Sequence, residues 1–318
     1  MKKFIFILAA LIFLLISMTA YPQKIFIISD IDDTIKITGL KAGTMKMVEH
    51  GSRSQAFFAI DLVYQLFYEN GKGSNGTVGR EIFFVSGAPG QLGKLSVHFL
   101  KKNEFPFPSK AYFLNKKIGE KTLDAKLNAI TPIIEAHPNS TFILIGDNGE
   151  FDPDVYKTLQ DKYGSRLIVF IHYVYAAANL NIVNYSSSNT RQSFEIFQGQ
   201  TPYFTGVDLA IQFYRLGLIS KENVLRVVNE SLQNIDPIFY NNIKNESNYT
   251  PEYSNNHSLR HNQKLFYQEW MTGCKGFMTS EWNNLVTPFV QEDLELSSKI
   301  ERIRSIITQF RGCEVATP

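Results

Sequence analysis

Apolar positions follow two rhythms along this chain. Short runs rich in Ile, Val and Phe at 24–29, 81–85, 111–114, 141–145 and 167–172 predict buried strands. Between them, residues 54–68 and 123–136 carry apolar side chains at helical spacing, the second stretch closing just before Pro138. Runs of this kind, bounded by longer amphipathic stretches, predict βαβ units. The fold class is therefore α/β, a Rossmann-like parallel sheet sandwiched by helices.

From about Tyr175 the texture changes. Asn and Ser accumulate, and helical spacing appears at 207–216 and 220–232, with Ser220 placed as an N-cap, and again at 292–310. The Asn-rich stretch 241–256 reads as a loop. The expected organisation is a core over 24–205 and a mainly helical C-terminal extension over 206–318. At the other end, Lys2 and Lys3 precede an unbroken apolar run over 4–15, then Ser17, Thr19 and Ala20. That is the layout of a secretory signal peptide at 1–20, giving a secreted or periplasmic protein. The alternative is an uncleaved signal anchor that holds the chain at a membrane.

Composition narrows the classes of function. With 318 residues, 44% hydrophobic and 19% charged, the chain is too apolar for a disordered tail. Its 32 basic and 30 acidic residues leave a net charge of +2, so no field over the whole protein attracts nucleic acid, and none is expected as a partner. Cys274 and Cys313 are too few for a disulfide framework or a four-cysteine zinc site; one bridge is expected if the chain is exported.

Chemistry concentrates at strand ends. The first run opens into Asp30-Ile31-Asp32-Asp33-Thr34, and residues two apart point the same way on an extended chain, so Asp30 and Asp32 can share a site. An Asp-rich turn is the plainer alternative. The run at 141–145 ends in Gly146-Asp147-Asn148-Gly149-Glu150-Phe151-Asp152. If the two strands are neighbours, Asp30, Asp32, Asp147 and Asp152 converge into a set of oxygen ligands suited to Mg²⁺, with Gly146 letting the backbone pass close to the ion. Ser86 follows the second strand, where small residues at a helix start favour an anion, and Lys126 opens a helix leading towards the fourth. Taken singly, Ser86 reads equally as a cap and Lys126 as a solvated charge.

In chain order these elements resemble the haloacid dehalogenase superfamily: DxDxT, a Ser after a strand, a Lys, then GDxxxxD. Within it, the runs from Asp30 to Lys36 and from Gly146 to Tyr156 are most similar to the catalytic domain of the actin-patch-associated phosphatidate phosphatases, over roughly residues 24–172. The resemblance implies a phosphomonoesterase. Asp30 would be the nucleophile that forms an aspartyl-phosphate, and Asp32 the general acid and base. Mg²⁺ would be held by Asp30, the backbone carbonyl of Asp32, and Asp147, with Asp152 as a ligand or close support. Ser86 and Lys126 would hold the phosphoryl oxygens, and Asp33 and Thr34 would shape the turn. The chain departs from that branch at Gly87, Ala88 and Gly90 in the second motif and at His172, where Arg is usual. These changes touch substrate choice, not the hydrolytic residues.

Other signals carry less. Gly71-Lys72-Gly73-Ser74-Asn75-Gly76 follows a helix and precedes a strand, the reverse of a dinucleotide site, and reads as a loop. His257 and His261 lack a third ligand. Lys101, Lys102, Lys116, Lys117 and Lys121 either attract an anionic headgroup or form a solvated face. Residues 35–53 are too few for a large cap and are expected to form a small flap. The expected substrate is a phosphomonoester, either a phospholipid such as phosphatidate at a membrane surface or a soluble nucleotide or sugar phosphate. From another class, the extension over 206–318 would bind a protein partner on a catalytic domain that serves as scaffold.

Overall fold

A computed structural model of the chain describes residues 24–39, 54–71, 79–88, 93–106, 120–175, 196–236 and 293–310. Its centre is a five-stranded sheet in the order β2-β1-β3-β4-β5, formed by β1 (Ile25–Ser29), β2 (Arg80–Phe84), β3 (Thr141–Asp147), β4 (Leu167–His172) and β5 (Gln200–Tyr203). Every neighbouring pair is parallel. Helices α1 (Ile60–Asn70), α2 (Gly93–Lys102), α3 (Thr122–Glu135), α4 (Asp152–Tyr163), α5 (Gly206–Arg215), α6 (Lys221–Ile235) and α7 (Leu294–Phe310) complete the described elements. This is the α/β architecture that the alternating pattern predicts.

The strands are apolar on both faces because helices cover both. Successive residues alternate between two cores. Ile27, Ile82, Phe84, Ile143 and Ile145 join side chains of α1, α2, α5, α6 and α7 on one face. Phe26, Ile28, Phe83, Phe142 and Leu144 pack with Ala125, Ile130 and Ile134 of α3 and Val155, Tyr156 and Leu159 of α4 on the other. The C-terminal helices thus build on the same apolar cluster as β1: α5 packs on α1 and α6, and α6 on α7. Two N-caps hold the first of these in place. Ser220 Oγ accepts from the Asn223 amide at 3.2 Å, as the sequence predicts, and Thr205 and Asp208 form a reciprocal capping box.

Several expectations are corrected. The helix expected from residue 54 starts at Ile60. The chain before it is occupied otherwise: Ile37 N donates to Gln55 O at 2.9 Å and Phe57 N to Ile35 O at 3.1 Å, so residues 35–37 pair antiparallel with 55–57. Ala59, at φ 55°, then turns the chain into α1. β5 is a strand that the hydrophobic pattern does not reveal, because Gln-Thr-Pro-Tyr has no apolar run and contains Pro202. An edge strand tolerates proline since only one side needs its hydrogen bonds. Helices α2 and α4 also escape the pattern reading.

The expected strand at 111–114, residues 40–53 of the flap, the stretch 1–23 with its signal, the loop at 72–76, the histidine pair and both cysteines lie outside the described residues. Among the described residues, no helix is long and apolar enough to cross a membrane.

Candidate active site

The site forms where the central strands end. β1 and β3 are neighbours in register, Ser29 opposite Ile145, and the Asp30 amide donates to Ile145 O at 2.8 Å. The carboxylates that follow the two strands therefore meet at one sheet edge, the usual place for a ligand in a parallel α/β fold. Oxygen atoms of Asp30, Asp147 and Asp152 lie within 4.8 Å of one another, and all three residues are buried.

Asp152 reaches this cluster as the first residue of α4, whose N-terminus favours a negative charge. Its side chain lies directly over Gly146. A Cβ added at Gly146 would lie 2.5 Å from Asp152 Cβ, so only glycine leaves room for the carboxylate. The sequence reading reserves that space for the backbone's approach to an ion; the structure gives it to Asp152. From there Asp152 Oδ2 accepts from the Asp147 amide at 3.2 Å.

Lys126 enters from the second turn of α3 and is 1% exposed. Its Nζ donates to Asp152 Oδ1 at 2.5 Å, Asp30 Oδ1 at 2.9 Å and Glu150 Oε2 at 3.3 Å, which uses all three of its protons. Burial alone would lower its pKa, but the charges of Asp152, Asp30 and Glu150 overcome this and hold it well above the usual lysine value.

One ammonium does not balance these carboxylates. Burial, together with the charge of Asp152, pushes Asp147 well above the ordinary carboxylate range; burial does the same to Asp30, against the pull of Lys126. Asp147 Oδ1 accepts from the Gly149 and Glu150 amides at 2.6 and 3.1 Å, whereas Oδ2 is buried with no hydrogen-bond partner among the described residues. A desolvated carboxylate oxygen left this way costs free energy that a bound cation recovers. The donor set, buried carboxylate oxygens, suits a hard divalent ion. The residues present fit a metal ion.

Asp32 stands apart from this cluster. Its Oδ1 accepts from Thr38 Oγ1 at 2.9 Å and its Oδ2 from Ser86 Oγ at 3.3 Å, with Lys36 Nζ 3.9 Å from Oδ1. The side chains of Asp30 and Asp32 border one site without sharing ligands. Ser86 has the local capping role read from sequence, since its hydroxyl also accepts from the Ala88 amide at 3.0 Å, as a turn residue does.

Asp33 shapes the turn as expected, at φ 57°, with Oδ1 accepting from the amides of Thr38 and Gly39 at 2.9 and 2.6 Å and Oδ2 from the Tyr175 hydroxyl. Thr34 does more than that, donating from Oγ1 to Asp30 Oδ2 at 3.1 Å. The sequence reading quotes Glu150 within its motif without giving it a role, though its place between Asp147 and Asp152 signals one. Ser29 and Tyr64, joined at 2.7 Å behind Asp30, carry no pattern that would have found them.

Residues 25–172 match the family model described as Phosphatidate phosphatase APP1, catalytic domain. That segment, just under half of the chain, is similar to the APP1 catalytic domain. The family is named for a phosphatase, and the matched segment contains Asp30, Asp32, Ser86, Lys126, Asp147 and Asp152. The chain is also 28% identical over 158 residues to Phosphatidate phosphatase APP1 of Saccharomyces cerevisiae, an alignment covering 46% of this chain and 25% of the yeast protein. The chain thus spans about a quarter of the length of that relative. No solved structure matches.

Proposed function

We propose that this chain is an exported, Mg²⁺-dependent phosphomonoesterase that works through an aspartyl-phosphate on Asp30 and takes phosphatidate or a related lipid phosphate as substrate. The observation that carries the chemistry is the buried cluster of Asp30, Asp147 and Asp152, in which Asp147 Oδ2 has no hydrogen-bond partner among the described residues. The family match supports the reaction class, the yeast relative's name supports the lipid substrate, and the basic, apolar N-terminal run supports export.

In this reading Asp30, Asp147 and Asp152 hold Mg²⁺, which supplies charge neutralisation that lets an anionic phosphate approach a carboxylate nucleophile. Lys126 holds Asp30 and Asp152 in fixed rotamers through the contacts described above. Thr34 fixes Asp30 Oδ2. An oxygen of Asp30 attacks phosphorus, the bond from phosphorus to the alcohol oxygen breaks, and Asp32 gives its proton to the departing alkoxide. Asp32, now ionised, takes a proton from water; the water oxygen attacks phosphorus, the bond to Asp30 breaks and inorganic phosphate leaves. Ser86, whose hydroxyl donates to Asp32 Oδ2 in the free site, turns that proton to a phosphoryl oxygen when substrate binds.

The test is phosphate release from phosphatidate in detergent micelles, from p-nitrophenyl phosphate and from soluble sugar and nucleotide monoesters, each with Mg²⁺ and with EDTA. Mg²⁺-dependent release that favours phosphatidate is expected. Release from soluble esters alone would overturn the lipid assignment, and no release from any ester would overturn the phosphatase reading.

A further inference from the structure

The hydrolytic scheme leaves one buried cation at the site without a task. Lys36 is 6% exposed and sits where the chain leaves the first motif, pairing with Asp32 on one side and Ala56 on the other. Its Nζ lies 5.8 Å from the centre of the Phe99 ring of α2, which steadies the stem by a cation–π contact. Among the described residues Nζ donates no hydrogen bond. The nearest carboxylate oxygen, Asp32 Oδ1 at 3.9 Å, is beyond hydrogen-bond reach and already accepts from Thr38.

Burying an ammonium with unspent protons is costly unless an anion comes to meet it. Lys126 cannot serve in full, because its three protons are taken by Asp30, Asp152 and Glu150. Lys36 and Ser86 flank Asp32 from opposite sides, Ser86 on Oδ2 and Lys36 on Oδ1. An oxyanion in front of the Asp32 carboxylate is therefore within reach of a hydroxyl on one side and an ammonium on the other.

From this geometry we infer that Lys36 is a second cationic contact for the substrate's phosphate group, donating to a phosphoryl oxygen on the flank where the alcohol departs. The assignment rests on the phosphatase reading above. It adds to the site a residue that binds the substrate dianion while Lys126 remains bound to the carboxylates.

The test uses the full chain with Mg²⁺ and titrates inorganic phosphate, the product, by calorimetry against wild type, Lys36→Gln and Lys36→Arg, with p-nitrophenyl phosphate turnover and thermal melting measured in parallel. Lys36→Gln keeps most of the stem over Phe99 and removes the charge. It is expected to weaken phosphate binding about tenfold or more and to raise KM more than it lowers kcat, whereas Lys36→Arg keeps most of the affinity. Unchanged phosphate affinity in Lys36→Gln, beside an active wild type, overturns the Lys36 assignment alone, whatever happens to the melting temperature. A wild type that neither binds phosphate nor turns over substrate overturns the phosphatase reading and this assignment with it. Should Lys36→Gln fail to fold, Lys36→Arg decides: loss of phosphate affinity in that folded, charge-keeping variant overturns the assignment, and retention supports it.

Discussion

Asp147 shows how a side chain can be prepared for an ion by what its neighbours withhold. Two backbone amides satisfy Oδ1, and nothing satisfies Oδ2. Mg²⁺ is accordingly expected to raise the melting temperature of the wild type, and to leave Asp147→Asn, which loses a charged ligand, nearly unmoved in scanning calorimetry. Asp30→Asn is expected to cut turnover of p-nitrophenyl phosphate by about 10⁴-fold or more, as removal of a nucleophile does, while circular dichroism and the melting curve without metal stay native. The fold survives because a neutral amide escapes the burial penalty, and the weaker repulsion from neighbouring carboxylates, that push Asp30 upward. Gly146→Ala is expected to displace Asp152, costing about 1–3 kcal/mol in urea denaturation and weakening Mg²⁺ binding in the same protein. At this scale the sequence was legible where chemistry follows a buried run, as at Asp30 and Asp147. It was mute where a side chain reaches the site by contact across the fold, as with Lys36, whose neighbours are set by packing and not by spacing.

Among elements, the packing of α1 and α6 brings two acids into electrostatic range of each other. Burial raises Asp61 of α1 to about 6, and burial together with the charge of Asp61 raises Glu230 of α6 to about 7. Both lie above their unfolded values near 4, so the folded protein keeps protons that the unfolded chain releases. The stabilisation is complete below pH 4 and declines as pH climbs to about 7. Glu230→Gln is expected to flatten that decline: the gap between wild-type stability at pH 5 and pH 8, measured by urea denaturation, should shrink in the variant and the pH 8 value should rise. Elements with strong periodicity were legible, including β1, β3, β4, α3 and the Ser220 cap. β5 was not, since its place is fixed by pairing with β4 and not by apolar side chains. Helix α1 began six residues later than its periodicity suggested because the preceding strand-like pairing with 35–37 claimed those residues.

At the scale of the whole molecule, residues nearly three hundred positions apart share one apolar cluster. Ile300 and Ile303 of α7 are fully buried in the same core as Ile27 of β1. Ile300→Ala is expected to cost about 2–4 kcal/mol in chemical denaturation while leaving kcat per folded molecule unchanged, since no atom of α7 belongs to the site. An ion pair, Arg302 to Asp236 at 2.6 and 3.1 Å, ties α7 to the end of α6. The α/β class was legible because strands covered on both faces leave an unbroken apolar signature. How the helices beyond residue 206 seat on that sheet was not, because amphipathic spacing says which side of a helix is apolar and nothing about what covers it.

The edge strand β5 has one more consequence. Tyr203 O accepts from the Tyr173 amide at 2.8 Å, so Tyr203 directs its backbone groups towards β4 and its neighbour Pro202 directs its own outward. A proline there offers no amide proton to an incoming strand, and the element is only four residues long. Among the described residues the sheet thus ends on a margin poorly suited to pairing with an incoming strand.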